Sequence, residues 1–469
     1  MEEPSNHKWW VLLAIGVGTF MTALDTSVVN TILPLISRTF DSSVADVEWV
    51  VTIYLLLLSG LLLSFGRLGD MRGHKAIYLS GFGVFVISSM LCGLAKDVAW
   101  LVAFRALQAL GAAMLAANSP AILTKNFPPA QRGRALGLQA TMTYLGLTVG
   151  PSLGGWLASE WGWPIVFYIN IPVGLAAFLL SWRAIPNDTV RRPAEKFDLA
   201  GATLFLSGLS ALLLGLNQGH NWGWGSSPIL ALLFGSVLLL ALFLWVERRS
   251  SSPMLDLGLF KHHIFTLTAA SAVLNYIGVY SGIFLMPFYL IQGLGLTSAQ
   301  AGLILTAQPV IMAIIAPISG TLSDRVGTRL PAILGMTILT CGLLLLARLD
   351  SGSPQSLIMA SLGVVGLGTG MFISPNNSAL MGSASRNRQG IAAGILATAR
   401  NFGMVLGVGL AGAVFTTILA IHQPSGSGGS TQPGLFEAIR VSFIVAAGIT
   451  FLGVFTSAAR ERRVINGKD

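Results

Sequence analysis

The sequence predicts an all-α membrane protein, and three observations carry that prediction. Of its 469 residues, 53% are hydrophobic and only 10% are charged, against about 25% charged in soluble domains. The apolar residues fall in runs of about 20, the length a helix needs to cross a hydrocarbon core about 30 Å thick. Lys and Arg gather in every second connection between those runs, the bias that orients helices in a bilayer. High glycine content (54 residues) suits helices packed closely in lipid.

Fourteen runs qualify, taken in chain order. The first, 9–36, opens on Trp9 and Trp10, a pair suited to the membrane interface, and holds Asp25 deep inside it. The second, 49–68, runs into the polar loop GRLGDMRGHK; 76–95 follows, then 100–123 with Arg105 near its start. The fifth, 135–158, is rich in glycine, and 164–183 closes the first block. Runs 199–217 and 228–246 carry no strong motif. The last six are 265–292, 299–321, 330–348, 356–380, 390–421 and 435–458, the second of them ending in GTLSDRVGTR.

Placing the N-terminus and every second loop on one side gathers all but five of the 28 basic residues there, Arg400 among them. The opposite side receives Arg38, Lys96 and Arg348, while Arg105 and Arg440 lie within runs. This asymmetry predicts an even helix number with both termini cytoplasmic. It also explains the net charge of +9 without nucleic acid. Cys92 and Cys341 both fall inside apolar runs and are expected as buried thiols without a disulfide. The first run is too long for a cleaved signal peptide. The predicted organisation is a six-helix bundle over 1–183, a connection with two further helices over 184–264, and a second six-helix bundle over 265–469.

Asp25 stands apart among the 19 acidic residues, the others falling in connections, at run ends or at the termini. A charge at mid-bilayer depth costs roughly 2.5–3.5 kcal/mol on insertion scales. A carboxylate can shed that charge by taking a proton, so Asp25 is a candidate for proton-coupled work, against the plainer role of a structural acid bonded to Thr22 or Thr26. Polar residues inside runs are candidates for a cavity wall: Asn30, Tyr54, Gln108, Asn118, Tyr144, Asn170, Asn275, Tyr276, Gln308, Asn376 and Asn377. Each could equally serve an interhelical hydrogen bond.

The loops after the second and tenth runs share the form G-x-L-small-D-x-x-G-x-[KR], Gly66, Asp70, Arg72, Gly73 and Lys75 in the first and Gly320, Asp324, Arg325, Gly327 and Arg329 in the second. Repeated halves are typical of secondary transporters. The loops resemble the signature of the major facilitator superfamily. Gly146, Gly150, Pro151, Gly154 and Gly155 resemble its antiporter motif, and RALQALGAA, with Arg105 and Gln108, its fourth-helix motif. LDTSVVNTILP and WVVTIYLL resemble the first two helices of the fourteen-helix drug:proton antiporters, the EmrB/QacA-like group. Met71 and His74 depart from the usual loop pattern.

The resemblance implies a proton-driven exporter of lipophilic or amphipathic compounds, with protons as the coupling ion and no cofactor. It implies a multi-pass protein of the cell membrane, functional as a monomer. Asp25 and Arg105 would handle the proton and the two loops would form a conformational gate. The glycine stripe would let the fifth helix press against the other half. A dedicated exporter of a metabolite, lipid or siderophore is the alternative within transport. A membrane sensor or assembly partner is the alternative outside it. There is no nucleotide-binding GxxxxGK[ST] pattern, no metal-ligand spacing and no catalytic constellation, so neither an enzyme nor an ATP-driven pump is expected.

Overall fold

The computed structural model describes residues 7–128, 131–187, 198–249, 257–383, 389–422 and 432–460. The chain forms α1 (His7–Thr39), α2 (Val44–Arg72), α3 (His74–Gly93), α4 (Val98–Asn126), α5 (Arg132–Trp161), the single turn α6 (Ile165–Tyr168) and α7 (Asn170–Ala184). A helix pair follows, α8 (Leu199–Trp222) and α9 (Ser227–Arg249). The remainder is α10 (His263–Pro287), α11 (Ser298–Leu305), α12 (Ala307–Val326), α13 (Arg329–Leu346), α14 (Gln355–Ser383), α15 (Gln389–Ile421) and α16 (Gln432–Ala458). Thirteen spans among the described residues are long and apolar enough to cross a membrane. α5 is a further helix of 30 residues, less apolar because of its glycines and threonines. Helices alternate in direction, so the bundle has a near end, where α1 begins and α16 ends, and a far end opposite.

Polar caps mark where the apolar runs begin. Ser43 and Asp46 close a capping box at the start of α2, and Thr297 with Gln300 does the same for α11. Asp97 caps α4 by accepting from Trp100 N at 2.9 Å. Gly73 (φ 99°) and Gly327 (φ 83°) take the left-handed backbone at matching turns after α2 and α12, where a side chain would be strained. These are the glycines that recur in the two repeated loops.

The internal repeat is written in glycine contacts. Gly81 of α3 and Gly111 of α4 lie against each other's backbone, as do Gly335 of α13 and Gly368 of α14. A Cβ on Gly111 would sit 2.8 Å from Gly81 O, and one on Gly368 would sit 2.8 Å from Gly335 O. Likewise α5 rests on α1 through Gly146 and Gly150, and α15 rests on α10 through Gly403 and Gly407. Such close approach provides van der Waals contact where lipid removes any hydrophobic drive between helices. The outer faces carry apolar side chains, for example Phe234 and Val237 on α9, with exposed Trp10, Trp100, Trp161 and Trp222 near helix ends as an interfacial belt. Cys92 is buried, but Cys341 lies exposed on α13, contrary to the expectation of two buried thiols; an apolar run does not say which face meets lipid.

Candidate functional site

Asp25 lies just past the middle of the 33-residue α1, with a side chain 1% exposed. Its Oδ2 is 2.6 Å from Arg105 Nη1 on α4. Its Oδ1 accepts from Gln108 Nε2 at 3.0 Å and from Asn170 Nδ2 of α7 at 2.7 Å. Arg105 also donates through Nε to Val50 O of α2 at 3.1 Å and through Nη1 to Gln108 Oε1 at 2.6 Å. Gln108 donates in turn to Ser89 Oγ of α3 at 2.8 Å. The guanidinium stacks on the Tyr54 ring, 4.0 Å from its centroid. Five helices of the first half thus converge on one carboxylate. A buried ion pair is tolerable only when further hydrogen bonds satisfy both partners, and here they do. Arg105 lies in the far part of α4, which begins at Val98, yet its side chain turns wholly inward to meet Asp25.

Beside this cluster lies a cavity of about 340 Å³ between the two halves. Its wall includes Thr22, Thr26, Asn30 and Tyr54 from the first half and Tyr276, Tyr280, Gln308, Arg400 and Asn401 from the second. Asp25 and Arg105 are absent from the wall; Tyr54 contributes to it while stacking on Arg105, so the carboxylate sits one side-chain layer behind. Among the described residues Arg400 is the charged member of this wall; it counts with the cytoplasmic basic residues in the loop reading but lies well inside α15.

Of the polar residues proposed for a cavity wall, the structure brings Asn30, Tyr54, Tyr276 and Gln308 to it. Gln108 and Asn170 instead serve Asp25. Asn118 bridges His74 Nδ1 (2.8 Å) and Phe65 O (3.2 Å), which also explains why a histidine suits position 74. Asn275 turns to Met336 Sδ at 3.5 Å. Asn376 accepts from Arg460 Nη2 at 2.6 Å and donates to Thr268 O. Asn377 is partly exposed and off the wall. The Tyr144 side chain, and those of the gate acids Asp70 and Asp324, lie outside the described residues. Arg72 and Arg325 are exposed, and Lys75 and Arg329 half-buried.

The glycine motif of α5 divides its labour in a way spacing alone does not show. Gly146, Gly150 and Gly154 face α1 of the same half, against Phe20 O, Ser27 and Val28. The expected contact with the other half falls to Gly155, against the backbone of Ser298 in α11, and is answered by Gly302 of α11 against Pro151 O. Ser152 and Thr306 hydrogen-bond beside it, and Arg38 Nη2 donates to Ile291 O at 3.1 Å. All of these contacts sit at the far end, where the two halves close over the cavity.

The apolar run that starts at Trp49 leaves Glu48 outside it, but α2 begins at Val44, so Glu48 lies inside the helix with a 0% exposed side chain. It accepts from Asn217 Nδ2 of α8 at 3.1 Å and lies against Gly412 of α15. Its Oε1 has no hydrogen-bond partner. A second buried acid therefore stands where the first half, the helix pair and the second half meet, and Asp25 is not alone. The paired signals were Glu48 one turn after a cap and Asn217 inside an apolar run.

A paired helical repeat around a central cavity, with a buried ion pair beside it, defines a membrane transporter. The chain belongs to the Major Facilitator Superfamily, whose family model matches residues 15–248 and 268–467. It is 34% identical to the riboflavin transporter RibZ of Clostridioides difficile, over 98% of both chains. It is 34% identical to the multidrug resistance protein Stp of Mycobacterium tuberculosis, over 87% of this chain and 76% of that one. The tetracenomycin C resistance and export protein of Streptomyces glaucescens is 31% identical over 88% of this chain and 77% of its own. A bacterial homologue of the human lysosomal transporter Spinster shares the fold, with a TM-score of 0.67 at 17% identity, covering 97% of this chain and 98% of its own.

Proposed function

We propose that this chain is a proton-coupled antiporter that exports amphipathic compounds across the cell membrane by alternating access. We count α5 as the fourteenth span and take the near end as cytoplasmic, in line with the distribution of Lys and Arg. α1–α7 rock against α10–α16, with α8–α9 as an accessory pair.

The observation that carries the reading is the Asp25–Arg105 pair, buried one layer behind the cavity wall. Protonating Asp25 removes the charge that Arg105 meets, frees α1 from α4, and loosens the Tyr54 ring stacked between guanidinium and cavity. Substrate and proton then compete through Tyr54 for one conformational change. The far-end contacts of Gly155 and Gly302 close the outer route, and the wall reaches Gly18, Pro120 and Gln139 in the near half, where cargo enters.

The test is transport in proteoliposomes under an imposed pH gradient, wild type against Asp25→Asn. Gradient-driven export in wild type and its loss in the variant are expected. Full proton-driven export by Asp25→Asn would refute the coupling. A dedicated metabolite exporter is the second reading, favoured by the full-length similarity to a protein named as a riboflavin transporter.

A further inference from the structure

Among the described residues, the cavity wall holds one formal charge, and it is positive. Arg400 projects from α15 into the cavity beside Tyr276 and Tyr280. Its Nε is buried and has no hydrogen-bond partner, while the Tyr276 hydroxyl hydrogen-bonds with the same guanidinium and leaves the Nε side of the fork open. No carboxylate lines the wall among the described residues. The buried acid Asp25 is off the wall, with its charge already matched by Arg105, which stacks on Tyr54. A guanidinium without an acid presents a fixed fork of donors suited to a carboxylate, a phenolate or an imide oxygen. Three tyrosine rings, Tyr54, Tyr276 and Tyr280, flank the same space. Flat aromatic ligands stack on such rings, whereas a second cation would meet Arg400 unscreened in a low dielectric.

We infer that the cavity selects planar aromatic compounds bearing an anionic or strongly hydrogen-bond-accepting group, with Arg400 as the residue that orients them, and that it disfavours cations. This deepens the export reading by naming its substrate class. Proton-driven transport tests the export reading, while ligand binding by the purified protein tests this inference, so either can fail alone.

The experiment measures equilibrium binding of three fluorescent probes to the full-length protein in nanodiscs: anionic fluorescein, neutral coumarin and cationic ethidium. Fluorescein should bind at least about tenfold more tightly than ethidium, the discrimination expected of one charge-assisted hydrogen bond. Arg400→Gln should remove that preference while coumarin binding persists, and Arg400→Lys, which keeps the charge but loses the fork, should fall between. Ethidium binding as tightly as fluorescein, no fluorescein binding, or an unchanged preference in Arg400→Gln would each overturn the inference. Should Arg400→Gln not fold, the wild-type ratio and Arg400→Lys decide it.

Discussion

Arg105 Nη1 lies 2.6 Å from Asp25 Oδ2, and neither side chain reaches the cavity that their pairing borders. The Tyr54 ring touches both the pair and the cavity, lying 4.0 Å from the guanidinium and lining the cavity, and so is the link through which the proposed coupling would pass.

Removing one partner of a buried pair strands the other. Arg105→Leu should cost about 3–5 kcal/mol, because Asp25 would keep only its amide donors in a dry site. The double variant Arg105→Leu/Asp25→Leu should recover much of that loss. Thermal unfolding of the detergent-solubilised proteins checks this. Equal melting of the single and double variants would show that the pair does not govern stability.

Tyr54 should act as the partition between proton and substrate. Tyr54→Ala opens Asp25 to the cavity, and proteoliposomes carrying it should dissipate a pH gradient without substrate. Tyr54→Phe keeps the ring over Arg105 and should hold the gradient. A tight Tyr54→Ala variant would place the partition elsewhere.

The α5 glycines should separate into two behaviours. A side chain at Gly150 collides with Ser27 within one half, so Gly150→Val should lower the melting temperature. A side chain at Gly155 collides with the backbone of Ser298 across the halves, so Gly155→Val should instead hold the far end open. Spin-label distances between α5 and α11 report the difference; no lengthening in Gly155→Val would remove its role in closure.

Glu48 and Asn217 should fasten the helix pair. Asn217 donates to Glu48 Oε2 and Ala45 O, and accepts from Trp49 Nε1 at 2.7 Å. Asn217→Leu leaves Trp49 Nε1 and Glu48 Oε2 without this partner, at about 1–3 kcal/mol each, while Ala45 O keeps its bond within α2. Glu48→Gln keeps the acceptor and should leave the melting temperature nearly unchanged. A large loss in Glu48→Gln would show that the ionised carboxylate is required.

The spans, their alternation and the candidacy of Asp25 were legible because each is a property of local composition. A bilayer excludes charge wherever it occurs along the chain, so hydropathy and the placement of Lys and Arg carry the organisation without any long-range contact. The repeated loops were legible for a similar reason, since Gly73 and Gly327 meet the same backbone demand at equivalent turns.

What a polar residue inside a span faces is another matter. Asn30 and Asn118 look alike in sequence, yet one lines the cavity and the other bridges His74 to α2. Arg400 counts with the cytoplasmic cations although the 390–421 run encloses it, because composition does not say which face meets a cavity, and Glu48 falls just outside the 49–68 run, because helix ends are set by caps and distant neighbours. The sequence by itself determined that the protein is a twofold-repeated bundle of membrane helices with a carboxylate in its interior. Only the tertiary structure decided that this carboxylate pairs with Arg105 off the cavity wall, that a second acid sits where three bodies meet, and that the one charge on the wall among the described residues is basic. Hydropathy depends on how much of a residue type a segment holds, whereas pairing and cavity charge depend on which faces five or more helices turn toward one another.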